Sequence, residues 1–221
     1  MAVVITLGVL VSGSGTNLQA ILDAVAARTL DARIAVVVSN VADAGALERA
    51  RGAGVDTIVL DHRQYADRRS FDTALVDLLR ARGVDLVVLA GFMRLLSEVM
   101  LEAFPMRVVN VHPALLPAFP GVHAQRQAID YGVRVSGCTV HFVDHGTDTG
   151  PIVAQAVVPV RDDDDEESLR RRILTREHEL LPRVLQWIAE GRVTVEAPAA
   201  GGGRARVRVR GAEPCVGVEP S

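Results

Sequence analysis

The chain has 221 residues, 49% hydrophobic and 23% charged, enough for one sizeable domain or two small ones. Its 24 Lys+Arg against 27 Asp+Glu give a formal net charge of −3, so no basic excess points to nucleic acid or an anionic membrane as the main partner, although a local pocket for a phosphate stays open. The cysteines, Cys138 and Cys215, lie far apart without metal-ligand spacing, and no run approaches the ~20 apolar residues of a membrane helix, which together predict a reduced, cytoplasmic protein.

The apolar opening, residues 2–11, has no basic leader and runs into Ser12-Gly-Ser-Gly15, so it reads as a strand ending in a turn rather than a signal peptide. Residues 3–11 form a nearly continuous aliphatic run, as in a parallel strand covered on both faces. Residues 16–27 carry Leu18, Ile21, Leu22 and Val25 at helical spacing. The pattern then alternates: strand 34–38, helix 42–53, strand 57–60, helix 65–82, strand 86–90, helix 97–103 and strand 107–111. Right-handed crossovers between such strands give an α/β, doubly wound, mostly parallel sheet.

Beyond this point the pattern changes. Residues 135–143 and 152–158 are consecutive strands joined by a turn-rich loop, and 166–189 is a long helix carrying Leu169, Ile173, Leu180, Leu181, Val184, Leu185 and Ile188 on its apolar side. A mixed C-terminal half with a long C-terminal helix is therefore expected, with Pro182 a site for a kink. The acids at 162–167 admit a metal site, but acids before a helix and in its first turn complement the helix dipole, and they read as a cap. The alternating Arg204-Ala-Arg-Val-Arg-Val-Arg210 admits a nucleic-acid arm, yet fits better an exposed edge strand paired with 192–196. One domain over 1–197 is expected, followed by an edge strand and flexible tail over 198–221.

Asn110 and His112 stand two apart on one predicted strand and so share a face. An amide and an imidazole side by side suit a reaction that places negative charge on an oxygen while a proton moves nearby. Taken alone, such a pair more often just caps a strand end. The turn Ser12-Gly-Ser-Gly-Thr-Asn-Leu18 precedes a helix; it is neither a Walker loop nor a full dinucleotide fingerprint, and leans toward a monophosphate cradled by Gly15, Thr16 and Asn17. The loop 144–151 supplies Asp144, His145 and Asp148, and a carboxylate beside His112 would raise its pKa.

Four segments in order, Ser12-Gly-Ser-Gly-Thr-Asn-Leu-Gln19, Leu89-Ala-Gly-Phe-Met-Arg-Leu-Leu96, Asn110-Val-His-Pro-Ala-Leu-Leu-Pro117 and Asp148-Thr-Gly-Pro151, closely resemble the phosphoribosylglycinamide formyltransferases, the folate-dependent transformylases of purine biosynthesis. The resemblance spans roughly 3–195 and implies the formyltransferase fold. It implies Asn110, His112 and Asp148 as the catalytic trio, with Gly15, Thr16 and Asn17 at the ribonucleotide phosphate and Glu177 at the glycinamide amine. It implies a 10-formyltetrahydrofolate co-substrate held by Arg68, Met93, Arg94, Leu95, Leu96, Asn110, Asp144, His145, Gly146, Thr147 and Asp148, and no metal. His123 and the loop 113–122 resemble a mobile segment beside the folate. Leu174, Ala118 and Gln125 depart from commoner family residues, which bears on substrate affinity rather than chemistry.

The implied reaction is direct acyl transfer: the amine attacks the formyl carbon, and Asn110 and a protonated His112 donate to the oxyanion while Asp148 holds His112 charged. No serine or cysteine nucleophile is required. Among rivals, methionyl-tRNA formyltransferases continue differently after the Asn-x-His-Pro segment and add a C-terminal domain; here the loop reads Phe119-Pro-Gly-Val-His123 and a short tail follows. Formyltetrahydrofolate deformylases carry an N-terminal regulatory domain, whereas this chain starts on its first strand. A nucleotide-binding module that has lost the reaction is disfavoured by retention of the trio. The expected partners are small molecules, not nucleic acid or membrane, and a homodimer is left open.

Overall fold

The computed structural model describes residues 4–197, 204–212 and 215–216. The chain divides into two compact units, Met1–Asn110 and Val111–Ser221.

The first unit alternates strands and helices: β1 (Ile5–Val11), α1 (Thr16–Ala26), β2 (Ala32–Ser39), α2 (Gly45–Gly52), β3 (Thr57–Val59), α3 (Arg68–Ala81), β4 (Leu86–Leu89), α4 (Glu98–Ala103) and the start of β5 (Val108–His112). Its strands run in the order β5-β4-β1-β2-β3, every pairing parallel. All seven residues of β1 are buried, which is why its sequence is aliphatic without alternation. From α3, Phe71, Leu75 and Leu79 are at most 1% exposed, and each such burial stabilises by about 1.5–3 kcal/mol. A Cβ on Gly8 would lie 2.6 Å from Leu79 Cδ2, so any larger residue there would push the Leu79 side chain aside. Asp67 caps α3 by accepting from the Ser70 N–H, so this helix starts three residues later than its apolar periodicity suggests, after a short 3-10 turn at His62–Gln64.

The second unit contains the end of β5, then α5 (Ala124–Tyr131), β6 (Val135–Phe142), β7 (Ile152–Pro159), α6 (Glu166–Ala189), β8 (Val193–Glu196), β9 (Arg206–Val209) and β10 (Cys215–Val216). β6 and β7 are antiparallel, β10 lies parallel to β7, and α6 packs on β6 and β7. The acids before α6 act as a cap: Asp165 accepts from the Ser168 N–H, and Asp164 pairs with Arg172 at 2.7 Å. α6 runs through Pro182 without interruption. β8 and β9 form the expected antiparallel ribbon, with Glu196 opposite Arg206.

The fold class is thus α/β with a mostly parallel sheet and a mixed C-terminal half. Two features depart from the sequence expectation. α5 was not anticipated; it buries only Ala124 and Ala128, too little for a periodic signal. Cys215 belongs to a strand paired with β7 rather than to a tail, while residues 198–203, 213–214 and 217–221 of the expected edge strand and tail lie outside the described residues. Among the described residues no helix is long and apolar enough to cross a membrane.

Candidate functional site

In the first unit, β1 delivers the turn 12–15 to the start of α1. Gly15 is the N-cap at φ 74°, and a Cβ there would meet Ala46 Cα at 2.6 Å, so both backbone conformation and space demand glycine. α1 has no side-chain cap and no acid in its first turn, so its backbone N–H groups and positive dipole end stay available to an anion. Arg49 holds the turn from outside, donating from Nε to the Ser14 carbonyl at 2.8 Å. Thr16 is half-buried and Asn17 buried.

The segment between β4 and α4 carries four of the expected folate residues. Met93 and Leu95 are 74% and 56% exposed, large apolar side chains held out to solvent, while Arg94 stacks over the Phe71 ring at 5.0 Å. The Met93 N–H donates to Ser12 Oγ at 2.9 Å, tying this segment to the glycine turn. Arg68 is exposed in the first turn of α3. Asn110 is half-buried on β5, on the same face as His112 by strand alternation.

In the second unit, His112 and Asp148 come together as expected: Nδ1 lies 3.4 Å from Asp148 Oδ2. Nε2 lies 2.8 Å from the Phe119 carbonyl. A carbonyl only accepts, so Nε2 carries hydrogen and donates. Asp148 sits at φ 53°, a left-handed conformation that aspartate tolerates, and its Oδ2 also accepts from the Gly121 N–H at 2.8 Å.

A residue the sequence did not single out completes this cluster. His141, on β6 and 1% exposed, brings Nε2 to 3.6 Å from Asp148 Oδ1, so the carboxylate lies between two imidazoles. Burial acts upward on Asp148, but His141, the Gly121 N–H and the His112 charge together hold its carboxyl below the usual range. His112 differs from the expectation. Burial outweighs the upward pull of Asp148 and the Phe119 carbonyl, so its pKa is lowered and not raised.

The remaining expected residues are placed as follows. Asp144 shapes its own loop, accepting from the Gly146 N–H at 3.1 Å and from Thr149 Oγ1 at 2.6 Å. His145, Gly146 and Thr147 form the exposed tip. Glu177 is buried on α6, 6% exposed. The Cys138 thiol is pushed far up, first by burial and then by the Glu177 charge, which disqualifies it as a nucleophile. The loop after β5 is held at its base, where Thr139 Oγ1 donates to the Ala114 carbonyl and accepts from the Leu116 N–H. Beyond the tip contacts to His112 and Asp148, Gln127 donates to the Val122 carbonyl at 2.9 Å. Among the described residues no group of three or more His, Cys, Asp or Glu is placed to hold a metal ion.

The family model described as formyl transferase matches residues 6–185. The chain is 43% identical over 192 residues to the phosphoribosylglycinamide formyltransferase of Escherichia coli (strain K12), covering 87% of this chain and 91% of that protein. It is 47% identical over 185 residues to the trifunctional purine biosynthetic protein adenosine-3 of Drosophila melanogaster, of whose length it spans 14%. The crystal structure of glycinamide ribonucleotide transformylase 1 from Symbiobacterium toebii superposes with a TM-score of 0.90 at 55% identity, with 95% of each chain covered. The chain belongs to the formyl transferase family, among the phosphoribosylglycinamide formyltransferases.

Proposed function

We propose that the chain transfers the formyl group of 10-formyltetrahydrofolate to the amine of 5'-phosphoribosylglycinamide, a step of de novo purine (IMP) biosynthesis in the cytoplasm, carried by the domain 1–197. The observation that carries this reading is the buried His112, with a donor nitrogen directed at a carbonyl oxygen and its other nitrogen 3.4 Å from Asp148. Family membership supplies the identity of the donor and acceptor.

In this reading the Gly15, Thr16 and Asn17 turn takes the ribonucleotide phosphate, and Glu177 orients the glycinamide amine. The exposed apolar side chains of Met93 and Leu95, with Arg94, Leu96, Arg68 and the loop from Asp144 through His145, Gly146 and Thr147 to Asp148, receive the folate. The amine nitrogen attacks the formyl carbon, giving a tetrahedral intermediate with an oxyanion. His112 Nε2–H then donates to that oxygen, which takes the place of the Phe119 carbonyl, and the Asn110 amide is the second donor. Each such donor lowers the barrier by about 2.7–4 kcal/mol. The attacking amine loses a proton and N10 of the folate gains one as the C–N10 bond breaks. Asp148, kept ionised by its neighbours, receives the proton and returns it, and stabilises any positive charge that develops on His112. Two small molecules suffice as partners.

The test is acceptor competition with the purified chain. Tetrahydrofolate release from 10-formyltetrahydrofolate should require phosphoribosylglycinamide and yield its N-formyl product. Release with water alone, or formylation of methionyl-tRNA in preference, would contradict the assignment.

A further inference from the structure

Two consecutive residues of α3 hold the segment between β4 and α4. Phe71 lies under the Arg94 guanidinium at 5.0 Å, and Asp72, 1% exposed, takes hold of Ser97. Asp72 Oδ2 accepts from the Ser97 N–H at 2.5 Å and from Ser97 Oγ at 2.7 Å. A serine at a helix N-cap ordinarily turns its oxygen onto the helix's own N–H groups. Ser97 occupies that position on α4 but makes no such cap, and its hydroxyl is committed to Asp72. A third tie holds the other end, where the Met93 N–H meets Ser12 Oγ and that hydroxyl donates to Asn40 Oδ1 at 2.6 Å.

Burying a carboxylate is costly, and burial does push the Asp72 carboxyl upward, against the Ser97 bonds and the charges of Arg94 and Arg68. What that cost secures is a short segment fixed at three points with Met93 and Leu95 extended into solvent. Apolar side chains ordered before the ligand arrives lose little entropy when it binds.

We propose that Asp72 is a positioning residue for the co-substrate. It touches no reacting atom and acts through Ser97 to set the pose of segment 93–96. The inference rests on the reading that this segment receives the folate.

Asp72→Ala and Asp72→Asn separate the possibilities. With its amide oxygen in the place of Oδ2, asparagine can still accept from both the Ser97 N–H and the Ser97 hydroxyl, so it should restore the anchor. For Asp72→Ala we expect amide hydrogen exchange at 94–97 to quicken about tenfold or more as local opening becomes easier. We also expect KM for 10-formyltetrahydrofolate to rise about tenfold, with KM for the ribonucleotide and kcat within about twofold. Asp72→Asn should stay within about threefold of wild type in all of these. Unchanged exchange in the alanine variant, or an asparagine variant as impaired as the alanine one, would overturn the proposal. Faster exchange with an unchanged folate KM would instead overturn the assignment of this segment to the folate. Absence of formyl transfer in the wild type would overturn the function, while the exchange data would still decide the anchor. If Asp72→Ala does not fold, Ser97→Ala, which loses one bond, should raise the folate KM about threefold, and no rise would overturn the proposal.

Discussion

In the unit Met1–Asn110 the features proposed to face ligand are backbone N–H groups at a glycine turn and apolar side chains on a tethered segment. In Val111–Ser221 they are titratable side chains, His112 and Asp148, each of which bears on the other's protonation, with the buried His141 beside Asp148. In the proposed reaction the first kind of surface binds, and the second kind moves charge. Substitutions in the first unit should therefore appear in KM, and those in the second in kcat and in pH dependence.

The largest effect is expected at Asp148. Asp148→Asn removes both the carboxylate that handles the proton and the charge beside His112 Nδ1, and kcat should fall by about 10³–10⁴ with both KM values little changed. A loss confined to KM would erase the contrast between the units. Next is Gly15→Ala, which forces a Cβ against the Ala46 backbone at a left-handed position costing about 1–2 kcal/mol. KM for the ribonucleotide should rise about tenfold, with the folate KM unmoved.

His141→Gln should have a smaller effect, lowering kcat at neutral pH only a few-fold. Its signature lies in the pH profile. Without His141 the Asp148 carboxyl moves up toward its ordinary range, so the acid limb should shift to higher pH. The smallest effect concerns stability. Because the folded state lowers the His112 pKa, the unfolded chain binds more protons once pH falls through the ordinary histidine value of about 6.5. This contribution is fully present above that value and is lost below it. Tm should therefore fall less for His112→Gln than for wild type between about pH 8 and about pH 5.5.

The same contrast governs what the sequence reveals. The glycine turn is legible because its chemistry is local: strand, turn and helix start are contiguous, and Gly15, Thr16 and Asn17 appear together. The shared face of Asn110 and His112 is legible from strand alternation. His141 was not, because it lies in a β-strand run whose other residues explain themselves as core, and its partner is seven residues away across a turn. The Phe119 carbonyl could not be found either, since any residue offers one. The lowered pKa of His112 is not legible in the sequence, because the neighbouring carboxylate is visible in a motif whereas burial is a property of the fold. Asp72 likewise reads as an ordinary polar position on an amphipathic helix, and only the structure brings Ser97 onto it.

The central claim is that His112 donates to the oxygen on which charge develops. Its most direct test is the single-turnover rate of formyl transfer by His112→Ala with both substrates saturating. Loss of one such donor should slow the chemical step by about 10²–10³ relative to wild type. A rate within a few-fold of wild type would contradict the account.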